Sequence, residues 1–549
     1  MDRGSYRILL VDDERLVRFI TSSYLMKAGY AVVQAESPEA AMVYFHQMSF
    51  DLIITDVAMG GIDGFAFRDM VRQVDSRVPI VFYTTVVNDY GNWLLDRLSE
   101  DMRSYYVGKG VSREILLARL RKILDARQFE NDAEAFRKDI NANLEMAAFV
   151  QNSLLPQWTG ANRVYHYGIA WNPYEKVSGD LHEWIRIDDT HVILIAGDVS
   201  GHGIRSALAM SAIQSYIKRF QNGAVAEPEA RILHIASRLH RFISENFMDV
   251  VYMAGLVMYV DFENRRVCYL NAGLPEPKCV RGKSGESLAM NPEGRGALPF
   301  GLIGDSSYGA ADLVAFDFPD DAVFVLSSDG VTDISSDEGG DDIVPQELFD
   351  KVCSIAVSSD YASGTVVQTA ATIVKSLSEL GFSHAQDDRM LIVFSKAQNR
   401  TDKIIHEVRI VPESIDLASE TLGSFAAELT GDREISAKVQ LLLDEFLINV
   451  YRHGLAAGDH RSEYGIVAES VVGDQLVVTV LDGGRNWEGL SSMSLEDTQR
   501  RLDEHNRTLA DSGRGLAIMR IIANGGVSHE WISGLNRTVF RIPIKGART

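Results

Sequence analysis

Four aspartates between positions 180 and 387 stand at strand ends or in tight turns. They are Asp180 in Ser178-Gly179-Asp180, Asp198 in Gly197-Asp198-Val199-Ser200-Gly201-His202-Gly203, Asp329 in Ser328-Asp329-Gly330, and Asp387 in Asp387-Asp388-Arg389. Taken singly, each reads as a turn-capping carboxylate. As a set without a Cys or Ser nucleophile context, they suggest a two-metal hydrolytic site, where two cations activate a bridging water and clamp phosphate oxygens. Oxygen ligands of this kind suit Mn²⁺ or Mg²⁺.

A second constellation lies further along. Glu445, Asn449 and Arg452 or His453 fall at helical spacings on one face of a predicted helix over Ser436–Tyr451. A carboxylate one turn from a carboxamide can position water and Mg²⁺ over ATP phosphates. Asp482 ends an alternating strand, Leu476–Leu481, where it can accept from an adenine amino group while Gly483 and Gly484 permit close approach of the base. Gly513-Arg514-Gly515 opens another helix whose first amides suit phosphate. The polar stretch Arg485–Ser512 between them has the character of an ATP lid.

The third constellation comes first in the chain. Asp12 and Asp13 follow one predicted strand and Asp56 another, Thr84 ends a fourth, and Lys109 follows a fifth. Three carboxylates on one edge repel each other unless a divalent cation, best Mg²⁺, neutralises them. A hydroxyl and an ammonium beside them suit an acyl phosphate on the central aspartate.

The elements that must hold these residues are legible as hydrophobic periodicity. Over 1–125, Ile8–Val11, Ala31–Gln34, Leu52–Thr55, Ile80–Phe82 and Tyr105–Val107 alternate with helical patterns, which predicts a doubly wound α/β domain with a parallel sheet. Ligands of such sheets gather at the carboxyl ends of the strands. Over 126–155, Ala126, Phe129, Ala133, Phe136, Ile140, Asn143, Ala147, Val150 and Leu154 alternate spacings of three and four. That is a heptad stripe of about four repeats, expected to form a parallel dimeric coiled coil with Asn143 fixing register. The alternative is one amphipathic helix lying on its own domain. Over 156–398, His191–Ala196, Tyr252–Val260, Arg266–Asn271, Ala322–Ser327 and Met390–Phe394 predict strands of an α+β, sandwich-type domain, with a helix through Ser206–Arg219. The polar stretch Lys396–Lys403 introduces a fourth segment, 399–549, of α+β character.

The chain's 549 residues suit roughly three domains. Its formal charge of −22 argues against non-specific binding to nucleic acid or anionic lipid. Cys268, Cys279 and Cys353 are scattered without metal-ligand spacing, which suits a reducing cytoplasm. The first residues lead straight into a strand pattern, so no secretory leader is expected. No apolar run approaches the roughly 20 residues that span a bilayer.

These motifs carry three resemblances. Residues 1–125 resemble response-regulator receivers through Asp12-Asp13, Asp56-Val57-Ala58-Met59, Asp63-Gly64, Thr84 and Lys109. That resemblance implies Asp56 as phosphoacceptor, Mg²⁺ on Asp12, Asp13, Asp56 and the Ala58 carbonyl, Thr84 and Lys109 as sensors, Tyr106 as a relay, and an upstream histidine kinase as partner. Gly60 and Gly110 stand where that family usually has proline. Residues 156–398, with the lead-in Gln151–Pro156, resemble phosphatase-2C-like bacterial serine phosphatases of the sporulation and stress-response type. The match runs through Gly179-Asp180, Gly197–Gly203, Asn271-Ala272-Gly273, Ser328–Asp333 and Asp387-Asp388. It implies Asp198 as bridging ligand beside the Val199 carbonyl, with Asp329 and Asp387 completing the metal pair. Asp180 would act through metal-bound water or an extra metal. Glu183 stands where the family usually has Asp, and Leu274 where it often has His. Residues 399–549 resemble the GHKL ATPase fold, closest to anti-sigma-factor serine kinases. By that resemblance Glu445 helps deprotonate an acceptor serine, Asn449 binds Mg²⁺, His453 and Gly484, Gly513 and Gly515 line the ATP site, Asp482 reads adenine and Thr538 supports it.

Together these readings imply a cytoplasmic, bifunctional response regulator. It would dephosphorylate and phosphorylate a serine of one partner, a STAS-type anti-anti-sigma factor by resemblance, under control of Asp56 phosphorylation. In the rival reading only the phosphatase is catalytic, and the last domain binds a sigma factor or another partner. A catalytically dead scaffold is the third.

Overall fold

The computed structural model describes residues 6–85, 97, 101–201, 203–221, 227–247, 250–303, 307–337, 343–398, 402–455, 462–486, 514–524 and 526–544. The chain forms two compact units, Met1–Ala142 and Asn143–Thr549.

In the first unit, β1 (Arg7–Val11), β2 (Ala31–Ala35), β3 (Leu52–Thr55), β4 (Ile80–Thr84) and β5 (Ser104–Gly108) form a parallel sheet of order β2-β1-β3-β4-β5. The inner strands β1, β3 and β4 are apolar without alternation because both faces are covered, while the edge strands β2 and β5 are only partly buried. Leu9, Val11, Ile53 and Phe82 pack on one side, and Ile8, Leu10, Ile54 and Val81 on the other. Helices α1 (Arg15–Lys27), α2 (Pro38–Gln47) and α3 (Gly64–Val74) intervene. The starts of α2 and α3 are written in the sequence: Ser37 caps Ala40 N ahead of Pro38, and the Asp63 carboxylate accepts from Ala66 N at 2.7 Å.

Helix α4 runs unbroken over Arg113–Leu154. The heptad stripe expected from 126 is therefore the continuation of the last helix of the parallel domain. No Pro or Gly interrupts 113–154, so nothing in the chain ends the helix at 126. Its 42 residues reach about 63 Å. The stripe side chains Phe129, Phe136, Ile140 and Val150 are exposed along it.

The second unit opens with a four-layer arrangement. One sheet has the order β14-β11-β10-β9-β8, from β8 (Asp180–Arg186), β9 (His191–Val199), β10 (Met253–Asp261), β11 (Arg266–Ala272) and β14 (Leu313–Asp317). The other has the order β13-β12-β15-β18-β7-β6, from β6 (Thr159–Ala161), β7 (Tyr165–Asn172), β12 (Lys278–Arg281), β13 (Ser287–Leu288), β15 (Ala322–Ser327) and β18 (Arg389–Lys396). A two-stranded ribbon pairs β16 (Ser335–Ser336) with β17 (Phe382–His384). The inner faces meet over Tyr165, Leu194, Tyr269, Phe324 and Phe394, with the last two rings stacked at 4.7 Å. Helices α5 (Ile204–Ile217) and α6 (Pro228–Phe247) cover the outer face of the first sheet, and α7 (Gln346–Ser363) and α8 (Thr369–Glu379) that of the second. The central strands β9, β10, β15 and β18 are buried along nearly their whole length, because the inner face of each meets the other sheet and the outer face meets a helix.

A third sheet completes this unit, in the antiparallel order β19-β20-β21-β23-β22. Its strands are β19 (Lys403–Arg409), β20 (Tyr464–Val472), β21 (Gln475–Asp482), β22 (Val527–Ile532) and β23 (Leu535–Pro543). Helices α9 (Pro412–Thr430), α10 (Arg433–Asn449) and α11 (Arg514–Ile522) pack on one face through Leu442, Phe446 and Met519. The opposite face, with Ile466, Leu481, Ile532 and Leu535, closes on Trp158, Val367 and Ala371 of the sandwich.

All three cysteines are buried and free. Among the described residues, no helix is long and apolar enough to cross a membrane.

Candidate functional site

At the carboxyl edge of the parallel sheet, carboxylate oxygens of Asp12, Asp13 and Asp56 lie within 4.8 Å of one another. Lys109 Nζ reaches Asp56 Oδ2 at 2.5 Å and Asp12 Oδ2 at 2.7 Å. Burial would lower the Lys109 ammonium's pKa, but hydrogen bonding and charge pairing with Asp12 and Asp56 win and raise it. Burial raises Asp12 against the pull of the same lysine. Thr84 is buried, and its carbonyl accepts from Lys109 N at 2.9 Å. Gly64 is required here: a Cβ would lie 2.1 Å from the Asp56 carbonyl. Tyr106 Oη is buried without a hydrogen-bond partner. A Cβ at Gly60 or Gly110, the two departures from proline, would meet open space, and Lys109 reaches the aspartates despite the second. Ala58 is exposed beside the cluster. Three oxygens so placed fit a hard cation such as Mg²⁺.

In the sandwich, Asp180 and Asp198 face each other directly across the β8–β9 pairing. Like charges opposite one another on a sheet are unfavourable, and here Asp180 is buried and Asp198 half-buried. Asp180 is inaccessible to solvent. Its Oδ2 accepts from Ser328 Oγ at 2.9 Å, and its Oδ1 has no partner. Burial first, then Asp198 and Asp388, push its carboxyl well above the usual range. Asp198 is pushed up to about 8 by burial, then by Asp329, Asp387 and Asp388. Asp329, at the exposed rim, is raised by desolvation, Asp333 and Asp387. Asp387 is half-buried, and its Oδ1 accepts from Asp388 N at 2.8 Å.

The four aspartates named from sequence therefore act on one another electrostatically at one end of the inter-sheet core. Val199 brings its carbonyl to the same place, since a Cβ on Gly179 would sit 2.9 Å from Val199 O. A buried, partnerless carboxylate oxygen and mutually opposed carboxylates fit divalent cations, which neutralise the repulsion. Gly201 and Gly203, both at φ 84°, turn the chain from β9 into α5; His202 lies outside the described residues.

Two residues noticed only as parts of motifs prove structural to this site. Gln151, on the last turn of α4, clamps the loop ahead of Asp180. Its Nε2 donates to Ser178 O at 2.7 Å, and its Oε1 accepts from Ser178 N at 2.9 Å. Asp388 fastens the same loop from the other side. The two departures lie off the cluster. Glu183 points to the helix side of β8, where Gln214 Nε2 donates to it at 2.6 Å, and Leu274 fills the inter-sheet core.

In the third sheet Asp482 is fully buried at the end of β21. Its Oδ1 accepts from Asn536 Nδ2 at 2.8 Å and Gly484 N at 3.0 Å, and its Oδ2 has no partner. Burial pushes it up to about 6 against those two donors. Thr538, expected as its support, instead lies 3.0 Å from His529 Nδ1. The supporting residue is Asn536, two positions earlier on the same face of β23. Gly484 admits no side chain, as a Cβ would lie 2.9 Å from Asp482 Oδ1. Glu445 and Asn449 are half-buried on the last turns of α10. The helix then widens into a π-helical turn over Val450–Gly454, so His453 leaves the regular spacing and is exposed. Gly513 and most of the expected lid lie outside the described residues, and Gly515 lies on α11.

Residues 8–121 match the family model "Response regulator receiver domain", and residues 188–396 match "Stage II sporulation protein E (SpoIIE)". The chain carries a receiver domain and a SpoIIE-type, phosphatase-2C-like domain. Among curated proteins, the receiver is 36% identical over 120 residues to the probable transcriptional regulator ycf27 of Guillardia theta, covering 22% of this chain and 45% of that protein. The chain is 25% identical over 200 residues to the phosphoserine phosphatase RsbP of Bacillus subtilis, covering 36% of this chain and 47% of that protein. It thus spans about half the length of the curated relatives it matches. Among solved structures, the RsbU and RsbW domains of a Mycobacterium tuberculosis protein align at 16% identity and TM-score 0.36, covering 71% of this chain and 96% of that one.

Proposed function

We propose that this chain is a bifunctional response regulator whose phosphatase-2C-like and C-terminal domains remove and add phosphate on a serine of one partner protein. The observation that carries the hydrolytic half is the buried Asp180 facing Asp198, with one carboxylate oxygen unpartnered and Asp329 and Asp387 close enough to raise the set. Asp198, Asp329 and Asp387, with the Val199 carbonyl, would hold two Mn²⁺ or Mg²⁺ ions, and Asp180 would orient water beside them. When bound, such ions supply charge neutralisation at the phosphate and an activated water. The protein's share is to hold the carboxylates near enough to raise one another and to exclude a competing side chain at Gly179, beside the Val199 carbonyl.

The C-terminal reading is a GHKL-type ATP site. Asp482 Oδ2, buried and unpartnered, is suited to accept from an adenine amino group, while Gly484 leaves room for the base. Asn449 would bind Mg²⁺ and Glu445 would take the proton of the acceptor serine; phosphoryl transfer asks for positioning and charge stabilisation of this kind. The similarity to a phosphoserine phosphatase supports a phosphoseryl partner, and the motif resemblance to stress-response phosphatases and anti-sigma kinases would make that partner a STAS-type anti-anti-sigma factor. Asp56, accepting phosphate from a histidine kinase, would bias the balance. The heptad stripe of α4 would pair two chains and carry that bias to the Gln151 clamp.

The test uses purified protein, ATP and a small serine-bearing STAS protein. ATP-dependent label should appear on the partner, rise with Asp198→Ala and vanish with Glu445→Ala. Label unaffected by either substitution refutes the bifunctional reading. Partner binding without label leaves a phosphatase with a C-terminal binding module.

A further inference from the structure

Asp387 and Asp388 are adjacent carboxylates, and the fold uses them differently. Asp388 is 97% buried, 3% of its surface remaining accessible. Its Oδ2 accepts from Gly179 N at 2.6 Å and its Oδ1 from Tyr174 N at 2.7 Å. Both oxygens are thus committed to backbone amides of the loop that ends in Asp180. The Asp388 carbonyl meets the next segment: it lies 3.4 Å from Ser328 Oγ and stands 2.0 Å from where a Cβ on Gly330 would be. Ser328 Oγ in turn donates to Asp180 Oδ2 and accepts from Met390 N at 2.9 Å. One residue therefore joins the three segments that carry Asp180, Asp329 and Asp387.

We infer that Asp388 is a positioning residue of the hydrolytic site: it holds the Asp180 and Asp329 loops in register and ligates no metal itself. This rests on the phosphatase reading. A carboxylate accepting two backbone N–H bonds is matched to its place in a way an amide is not, because Asn offers one acceptor oxygen and turns an NH₂ towards the other donor. Outer partners of this sort tune metal affinity, with losses of about 10–100-fold on mutation.

The experiment compares full-length wild type, D388N, D388E and D387N. Mn²⁺ binding is measured by titration calorimetry, and p-nitrophenyl phosphate turnover is measured across Mn²⁺ concentration. D388N is expected to raise the Mn²⁺ midpoint about 10–100-fold while keeping most of kcat at saturating Mn²⁺; D387N is expected to lose kcat at every concentration. D388E, which carries both acceptor oxygens one methylene further out, should show the same split to a smaller degree and serves alone if D388N does not fold. An unchanged midpoint overturns the inference, and so does a loss of kcat that saturating Mn²⁺ does not restore in a folded variant. Absence of turnover in wild type would refute the phosphatase reading, while the calorimetric comparison still decides the positioning role.

Discussion

The indole Nε1 of Trp158 donates to the carbonyl of Tyr464 at 2.9 Å, across 306 positions of sequence. Trp158 opens the sandwich, two residues after Pro156 ends the run of α4, and Tyr464 begins β20 of the C-terminal sheet. The same ring lies against Gly483, whose Cβ would stand 3.0 Å from Nε1. Lys375 and Glu530 pair across this seam at 2.6 Å, and Ala161 N donates to Glu407 Oε2 at 3.3 Å. The glycine after Asp482 is therefore held against the ring of Trp158 from the sandwich.

Trp158→Ala should open this seam. The ring is buried with Val367, Ala371, Ile466 and Leu481, and truncating a buried Trp costs about 3–5 kcal/mol. Denaturant titration of the full chain should show that loss. Hydrogen exchange should rise in both β6–β7 and β20–β21. Exchange confined to one side would mean that the two sheets do not stabilise each other.

Glu469 sets a pH dependence. It is fully buried on β20, neither carboxylate oxygen has a partner, and burial pushes it up to about 8 from an ordinary 4.5. Below 4.5 both folded and unfolded chains hold the proton, and the contribution is complete. Between 4.5 and 8 the unfolded chain gives the proton up while the folded chain keeps it. Stability therefore falls as pH rises, by at most about 1.4 kcal/mol per unit from this group. Glu469→Met should flatten the decline between pH 5 and 8. Equal slopes for wild type and variant would mean that Glu469 ionises freely in the fold.

The sequence carried the site aspartates because their neighbours are glycines and strand ends, whose roles are local. Gly64 and Gly179 are needed where a Cβ would strike a carbonyl, and the flanking strands are marked by burial on both faces. Long-range choices were not legible. Asp387 and Asp388 have the same side chain, and only the amides of Tyr174 and Gly179 separate their roles. Asn536 and Thr538 share one face of β23, but the register that sets Asn536 opposite Asp482 decides which of them supports it. The π-helical turn after Asn449 removes His453 from a spacing that regular helix geometry had assigned.

That register gives a sharp contrast at the C-terminal site. Asn536→Ala removes a hydrogen bond to Asp482, a kind worth about 1.5–3 kcal/mol when one partner is charged. If Asp482 reads adenine, ATP affinity measured by equilibrium dialysis should fall about 10–100-fold on that scale. Thr538→Ala, whose hydroxyl meets His529 instead, should change it far less. The reverse ranking would move the adenine contact away from the Asn536–Asp482 pair.

Helix α4, within which the chain divides into its two units, poses its own test. Phe129 is 76% exposed and Phe136 67%, with Ile140 and Val150 exposed along the same stripe. Apolar side chains repeated at heptad spacing remain costly in water until another helix covers them. A second copy offers the same stripe, so the full chain should sediment as a dimer in analytical ultracentrifugation at micromolar concentration. Phe136→Asp combined with Ile140→Asp places two carboxylates per chain in the seam, where like charges meet across the pair and apolar contact is lost. That variant should sediment as a monomer while its circular dichroism keeps the folded sheets. A wild type that sediments as a monomer, or a variant that remains dimeric, would assign the pairing to another surface.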